Sequence, residues 1–276
     1  MSSHRTHNVT TSDGVTIGAT VHGKGPPLVF MHGAFGDSDL DWNRVVEHLT
    51  DQFTCHLLSL RGRGVSGEHP DLSPGRVVND LVTYVDSLEQ PTGLAGYSGG
   101  ANVVLAAAAQ SDAVHAVAGF EPGIPSQIDE QLQTVAGEAV ARMAELATEG
   151  NLTAAARAFA DYPFTDNDIA KAEAAGYFEA SGRYMPNLLN LLQQFAENAD
   201  PADDPDVLRA ISAPVLMLHG SDTKAFFTRG VRYVAEHVPN ATVREIPGAG
   251  HAAPLTHPEA LAEALAEFLQ PAQQPA

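Results

Sequence analysis

The chain has 276 residues, 44% of them hydrophobic, which suits one large α/β domain or one domain with an insertion. Its formal net charge of −19 argues against binding to nucleic acid or to an anionic membrane surface, because phosphate groups would be repelled. The single cysteine, Cys55, excludes an internal disulfide and stands in an apolar run that favours a core position over a reactive thiol.

Targeting signals are not apparent in the sequence. Residues 1–8 lack the apolar segment of a secretory signal, and no apolar run reaches the ~18–20 residues needed to cross a membrane. We therefore expect a cytoplasmic protein that works without a membrane. The tail, residues 271–276, is expected to be disordered.

Strand-like and helical patterns alternate through the first part of the chain. Two β-type runs flank the Ser-Asp-Gly sequence at 12–14, which predicts a hairpin. Continuous apolar runs then predict buried parallel strands, and apolar residues spaced three and four apart predict helices between them. The predicted strands are 28–31, 53–60, 92–97 and 114–120, and the predicted helices are 41–49, 77–88 and 101–110.

The character changes at residues 123–206, which are Ala-rich and helix-periodic and end in an acidic, Pro-containing stretch. We interpret this segment as a helical lid inserted into a core made of residues 1–122 and 207–276. The strand–helix alternation then resumes with predicted strands 215–219 and 241–246 and predicted helices 228–238 and 258–269. This alternation predicts a mostly parallel sheet with helices on both faces, whose ligands bind at the carboxyl ends of the strands.

The pentapeptide GYSGG at residues 96–100 stands between a predicted strand and a predicted helix. A serine in such a sharp, strained turn needs small residues two positions before and after it, and Gly96 and Gly100 meet that need. The turn exposes the Ser98 hydroxyl at the sheet edge, and the helix N-terminus directs backbone N–H groups towards it. The pentapeptide alone is a weak signal, because Gly and Ser are common residues.

Partners for Ser98 follow later predicted strands. A serine hydroxyl needs a base within hydrogen-bond reach, and the base needs a carboxylate that fixes its tautomer. Asp222 follows strand 215–219, and His251 follows a glycine-rich loop after the last strand. We expect Ser98, Asp222 and His251 to form a catalytic triad. Glu121 is the alternative acid, because it also follows a strand; otherwise it anchors the start of the lid.

With these residues the chain resembles the α/β-hydrolase fold superfamily, in its lidded serine esterase and cofactor-free peroxidase-like branch. The resemblance covers nearly the whole chain outside the predicted lid. It rests on four motifs in order, which are His32-Gly33 with Gly36, Arg61-Gly62 with Gly64, the elbow at Ser98, and Asp222 with His251. The chain departs from the family at Ser59, where an Asp is usual at a structural position.

The resemblance implies an α/β-hydrolase fold and an oxyanion hole. The donors would be the backbone N–H groups of Ala34 and Gly99, each contributing ~3 kcal/mol to lowering the barrier. Phe35 replaces Ala34 as the donor if the loop is shifted by one residue. Aromatic residues are expected to supply an apolar substrate pocket. The main candidates are Phe35, Tyr97, Phe120, Phe159 and Tyr162, with Phe164, Tyr177, Phe178 and Tyr184 as further candidates.

These features predict a serine hydrolase that cleaves a carboxylic ester or lactone of a small molecule through an acyl-enzyme, with no cofactor and no metal. The same triad would also serve perhydrolysis, in which peroxide replaces water, or hydrolysis of a C–C bond. Haloalkane dehalogenases and epoxide hydrolases are disfavoured, because similar enzymes carry Asp at the position of Ser98. A ligand receptor that kept the fold is the non-enzymatic alternative. Substrate identity and oligomeric state do not follow from the sequence.

Two further motifs are rejected. The sequence at 62–67 matches G-x-G-x-x-G, but Pro70 and Pro74 delay the next helix, so its N-terminus cannot meet a pyrophosphate. The acidic residues at 37, 39 and 41 begin like a calcium loop, but Trp42 and His48 occupy the positions that require Gly and Glu. We expect these residues to form a solvated loop that caps the next helix at Asp41.

Overall fold

The computed structural model describes residues 5–270. The predicted disordered tail, 271–276, lies outside these residues, as do residues 1–4 of the segment considered for a secretory signal. In the described part of the chain, eight strands form a single sheet. The strands are β1 (Arg5–Thr10), β2 (Thr16–Gly23), β3 (Pro27–Met31), β4 (Thr54–Leu58), β5 (Thr92–Tyr97), β6 (Val114–Phe120), β7 (Val215–Gly220) and β8 (Ala241–Ile246).

The sheet has the strand order β1-β2-β4-β3-β5-β6-β7-β8. The predicted hairpin is confirmed, since β1 and β2 pair antiparallel, and β2 also pairs antiparallel with β4. All other neighbours are parallel, and their carboxyl ends therefore lie at one edge of the sheet. The elements that carry Ser98 and His251 belong to this parallel part.

Helices connect the parallel strands, and their bounds are as follows. They are α1 (Ser38–Val46), α2 (Pro74–Asp86), α3 (Gly99–Ala108), α4 (Glu130–Thr148), α5 (Leu152–Ala160), α6 (Asp166–Ala174), α7 (Tyr177–Gly182), α8 (Met185–Glu197), α9 (Pro205–Arg209), α10 (Ala225–His237), α11 (Ala253–Thr256) and α12 (Pro258–Leu269). None of the helices within residues 5–270 is long and apolar enough to cross a membrane.

Several predicted elements have the observed bounds, including β5, β6, β8 and α12. Helix α1 begins earlier than predicted. Its N-cap is Asp37, whose side chain accepts a hydrogen bond from the backbone N–H of Leu40. The prediction that Asp41 caps this helix is therefore wrong, because Asp41 lies inside the helix and its side chain is buried. The expected solvated loop is wrong as well, since Asp37 is also buried.

Apolar layers cover both faces of the sheet. On one face, Val77 of α2 and Val104 of α3 are fully buried in a large cluster. On the other face, Trp42 of α1 and Leu261 of α12 belong to a second cluster. Each helix thus covers the sheet with its apolar side, which is the arrangement that the helical spacing predicts. Burial of these apolar side chains stabilises the packing of the helices on the sheet, and this packing holds the strand ends in position.

The segment between β6 and β7 is helical throughout its described secondary structure and contains α4 to α9. It is tied to the core by polar side chains. The hydroxyl of Tyr177 donates to Asp41 at 2.7 Å, and the hydroxyl of Tyr184 donates to Asp37. We call residues 123–206 the helical insertion.

Candidate active site

Ser98 occupies the turn between β5 and α3. Its backbone has φ 54° and ψ −125°, a conformation that residues other than Gly rarely adopt. A Cβ atom on Gly96 would lie 2.4 Å from the carbonyl oxygen of Gly100, and one on Gly100 would lie 2.4 Å from that of His32. The two glycines are therefore required by close backbone approach, as the pentapeptide predicts.

His251 lies beside Ser98, in the loop between β8 and α11. Its Nε2 atom is 3.1 Å from the Oγ atom of Ser98. The ring of Phe227 stacks on the imidazole with a centroid distance of 3.7 Å and an interplanar angle of 10°. The side chain of His251 is almost fully buried. The stacking fixes the plane of the ring, and the short contact places Nε2 where it can take the proton of Ser98.

The carboxylate on the far side of His251 belongs to Glu121. Its Oε2 atom is 2.6 Å from Nδ1 of His251. The carboxylate also accepts two hydrogen bonds of 2.8 Å, at Oε1 from the backbone N–H of Gly220 and at Oε2 from the hydroxyl of Thr223. Glu121 is completely buried. Because a carboxylate accepts hydrogen bonds, Nδ1 carries the proton in neutral His251 and Nε2 is free to accept from Ser98.

The prediction that Asp222 is the partner of His251 is wrong. Asp222 is exposed, and its carboxylate accepts from the hydroxyl of the neighbouring Ser221 at 2.9 Å. The backbone N–H of Asp222 donates to the carbonyl of Ala249 at 2.9 Å, which holds the start of the β7–α10 loop against the loop that carries His251. The carboxylate of Asp222 therefore lies at the protein surface, and that of the alternative acid, Glu121, contacts Nδ1 of His251.

The loop that contains Ala34 is held by buried charged side chains. Arg63 donates from Nη1 to the carbonyls of Ala34 at 2.6 Å and of Gly36 at 2.8 Å. Asp41 accepts from the backbone N–H of Gly33 at 2.9 Å. Burial lowers the pKa of Arg63 to about 10, so the side chain keeps its charge at neutral pH. The backbone of this loop is thereby fixed before any substrate binds.

His32 orients the peptide group that carries the N–H of Ala34. Nε2 of His32 accepts from the backbone N–H of Leu60 at 3.1 Å, so Nδ1 carries the proton and donates to the carbonyl of Gly33 at 2.7 Å. Burial, together with the nearby charge of Arg63, lowers the pKa of His32 to about 3, so the ring is neutral. In a planar trans peptide the C=O and N–H point in opposite directions. The N–H of Ala34 therefore points away from the imidazole.

The acidic residues of the rejected calcium motif support this same region. Asp37 caps α1, and Asp41 accepts from the hydroxyl of Tyr177. Burial raises the pKa of Asp41 to about 6, against the opposing effect of that hydrogen bond. Within residues 5–270, no group of three or more His, Cys, Asp or Glu residues is arranged to hold a metal ion.

A cavity of about 290 Å³ opens beside Ser98. Ala34 and Gly99 lie on its wall, and the N–H of Gly99 has no intrahelical acceptor because it begins α3. The helical insertion contributes apolar side chains from α5 and α8. The cavity therefore joins the nucleophile to a mostly apolar chamber between the core and the insertion.

Three of the five main pocket candidates line this cavity, namely Phe35, Phe159 and Tyr162. The other two, Tyr97 and Phe120, do not, and that part of the prediction is wrong. Both are buried beside His251, with ring-centroid distances of 5.0 Å and 6.5 Å. The further candidates Phe164, Tyr177, Phe178 and Tyr184 do not line the cavity either.

Sequence reasoning missed two polar residues at the cavity wall, Asn102 and Asp200. The Nδ2 atom of Asn102 donates to Asp200 at 2.6 Å and to the carbonyl of Gly123 at 3.0 Å. Asp200 also accepts from the backbone N–H of Ala202 at 2.9 Å. Asn102 stands four residues after Ser98 on α3, and that helical spacing is the signal that could have indicated a place beside the nucleophile.

Comparison with known proteins places this geometry in a family. The model of the alpha/beta hydrolase family matches residues 28–264. The chain belongs to the alpha/beta hydrolase family. A 2-(acetamidomethylene)succinate hydrolase from Mesorhizobium japonicum is 25% identical over 265 residues, which are 92% of each chain. A pimeloyl-[acyl-carrier protein] methyl ester esterase from Nitrosomonas europaea is 24% identical over 87% of this alpha/beta hydrolase and 96% of the esterase.

A solved structure shows the same architecture. An alpha/beta hydrolase from Sphaerobacter thermophilus superimposes with a TM-score of 0.73 at 26% sequence identity. The match covers 96% of this chain and all of the other. The predicted fold is therefore confirmed, and the relatives of this alpha/beta hydrolase are hydrolases.

Proposed function

We propose that this alpha/beta hydrolase is a serine hydrolase that cleaves a carboxylic ester or lactone through an acyl-enzyme. The observation that carries the proposal is the unbroken hydrogen-bonded series from Ser98 through His251 to the buried Glu121, with the cavity beside Ser98. In an acyl-transfer enzyme these three residues serve as nucleophile, general base and orienting acid.

Ser98 attacks the substrate carbonyl while Nε2 of His251 takes its proton. Glu121 holds the Nδ1 proton and stabilises the imidazolium that forms. The N–H groups of Ala34 and Gly99 receive the developing oxyanion, and we assign them this role because both line the cavity beside Ser98. His251 then returns the proton to the leaving alcohol, and water that it activates releases the acid.

The cavity favours uncharged acyl groups over substrates that carry carboxylates. The described side chains that line it include no Lys or Arg, and the only carboxylate among them is that of Asp200. A substrate carboxylate would enter without a cationic partner and close to a like charge, which is unfavourable in a mostly apolar site. We therefore do not expect a dicarboxylate, such as the succinate derivative named for the Mesorhizobium relative, to be a good substrate of this chain.

The helical insertion acts as the lid of this site in our proposal. Phe159 of α5 and Leu191 of α8 form part of the cavity wall, so the insertion sets the shape of the chamber that receives the acyl group. The core of the proposed enzyme is then residues 1–122 and 207–276. The lid selects the substrate, whereas the strand ends carry out the reaction.

The test is a panel of p-nitrophenyl esters of increasing acyl length together with lactones and amides. We expect multiple turnover of neutral esters or lactones by the wild type. Ser98→Ala should lower kcat by roughly 10³–10⁶-fold with an unchanged circular dichroism spectrum. Near-wild-type turnover by Ser98→Ala would contradict the proposal, as would a wild type that releases product only once per chain, which is the behaviour of a receptor.

The same panel separates ester hydrolysis from the other reactions that the triad could serve. Adding hydrogen peroxide tests for perhydrolysis, in which peracid appears at the expense of acid. A vinylogous 1,5-diketone tests for C–C hydrolysis. Preference for either of these over every ester and lactone would replace the proposed reaction while leaving the roles of Ser98 and His251 intact.

A further inference from the structure

Asn102 and Asp200 give the mostly apolar cavity a polar part of its wall. Nδ2 of Asn102 contacts the carbonyl of Gly123 and the carboxylate of Asp200. A carbonyl oxygen can only accept, so the nitrogen of the amide must face it and the amide cannot be flipped. The Oδ1 atom of Asn102 is consequently fixed on the other side of the group.

That oxygen has no partner among residues 5–270. Oδ1 of Asn102 is buried and accepts no hydrogen bond there. A buried acceptor without a donor costs about 1–3 kcal/mol, so native proteins rarely keep one without a reason. Asn102 lines the substrate cavity, but its Oδ1 atom is itself covered, so a ligand in the cavity can supply the missing donor only when the side chains that cover this oxygen shift slightly.

Asp200 places a second acceptor beside this oxygen. It is more than nine-tenths buried and lines the same cavity. Its partners in the described residues are neutral donors, the amide of Asn102 and the N–H of Ala202, with no Lys or Arg in an ion pair. Burial raises the pKa of Asp200, and the hydrogen bonds from Asn102 and Ala202 oppose that shift.

We propose that Asn102 and Asp200 form a subsite for a hydrogen-bond donor on the substrate, a hydroxyl or an ammonium group. This inference rests on the proposed ester hydrolysis and names the substrate class: esters with an apolar chain that ends in a donor. Asn102 lies about one helical turn beyond Ser98, or ~6 Å along the axis, so a chain of roughly five bonded atoms spans the interval.

The test compares ethyl esters of matched size by titration of the acid released. Ethyl 6-hydroxyhexanoate carries the donor, ethyl heptanoate has a methyl group in its place, and ethyl 6-aminohexanoate carries an ammonium. A second series uses the monoacetate of butane-1,4-diol and pentyl acetate, which covers a donor on the alcohol side at the same span. In at least one series kcat/KM for the donor ester should exceed that for its methyl analogue by about 10-fold, the usual effect of one buried hydrogen bond.

Three variants test whether Asn102 and Asp200 cause the preference for the donor ester. Asn102→Leu removes the acceptor at similar size, and the ratio of donor to methyl ester should fall towards one. Asp200→Asn keeps an acceptor but removes the charge, so any preference for the ammonium should fall while that for the hydroxyl is retained. Asn79→Leu is the matched control, because it makes the same substitution at an exposed position of α2 that does not line the cavity, and it should leave the ratio unaltered.

The outcomes separate this inference from the function on which it rests. If the wild type hydrolyses no ester or lactone, the proposed function fails. If it hydrolyses esters but does not prefer the donor ester in either series, the function stands and the donor subsite is refuted. The wild-type ratios decide this even where Asn102→Leu does not fold. A ratio that survives in a folded Asn102→Leu variant would also refute the assignment.

Discussion

Two carboxylates follow neighbouring strands of the sheet, Glu121 after β6 and Asp222 after β7. Glu121 is fully buried and its carboxylate contacts the imidazole of His251, a backbone N–H and a hydroxyl. Asp222 is exposed and its carboxylate accepts from Ser221. The two positions look alike in the sequence, yet only one of them reaches the base.

The backbone at each strand end makes the difference. Glu121 has φ 49°, and its N–H donates to the carbonyl of Leu218 at 3.0 Å, so the chain turns sharply while it is still bonded to β7. A non-Gly residue pays about 1–2 kcal/mol for this conformation. The cost is offset by the three hydrogen bonds of the carboxylate. The acid of the triad must therefore follow a strand, but the backbone conformation at the strand end decides whether its side chain points towards His251.

Among the variants that compare the two carboxylates, the largest effect is expected from Glu121→Gln, which alters the buried one. An amide can present its N–H₂ to Nδ1 and favour the wrong imidazole tautomer, so kcat should fall roughly 10²–10⁴-fold with little change in KM. Steady-state kinetics on the best p-nitrophenyl ester measures this. A loss smaller than about threefold would show that His251 does not depend on Glu121.

A smaller effect is expected from Phe227→Leu, which removes the ring stacked on His251. Aromatic pairs contribute about 0.5–1.5 kcal/mol, so kcat should fall roughly 3–10-fold. Phe226→Leu is the matched control, because Phe226 contacts Phe227 and Tyr162 at ring-centroid distances of 4.9 Å and 6.2 Å. Equal losses of kcat in the two variants would mean that the substitutions disturb the packing of α10 and do not act through the imidazole of His251.

A third pair of variants compares the hydroxyls that bind the two carboxylates. Thr223→Val removes the donor to Glu121, and kcat should fall about 3–5-fold, since one hydrogen bond to a charged group is lost within an otherwise intact site. Ser221→Ala removes the donor to Asp222 together with an exposed hydrogen bond that Ser221 Oγ accepts from the N–H of Gly248, and it should change kcat less than about twofold. The reverse order in the same kinetic assay would indicate that Asp222 is the carboxylate that matters.

Much of the fold could be predicted because it depends on local patterns. The mostly apolar runs of β5 and β6 mark buried strands, and Gly96 and Gly100 mark the close approach around Ser98. The choice between Glu121 and Asp222 could not be predicted, since it depends on loop directions set by contacts distant in the sequence.

The wrong pocket candidates have a related cause. Tyr97 and Phe120 precede Ser98 and Glu121 directly, and successive side chains of a strand point to opposite faces. They therefore pack in the core near Trp42 and His251. Asn102 was missed for a different reason. Its spacing from Ser98 indicates only a place near the nucleophile, and its contact with Asp200 joins residues 98 positions apart.

The ratio of kcat/KM between Asp222→Asn and Glu121→Gln, measured on one ester at one pH, tests the central claim most directly. Asp222→Asn is expected to have the smallest effect of all, within about twofold of the wild type, because it alters an exposed side chain away from the imidazole. We predict that Asp222→Asn exceeds Glu121→Gln by a factor of roughly 50 or more. A ratio of one or less, with both variants folded, would contradict the assignment of Glu121 as the acid.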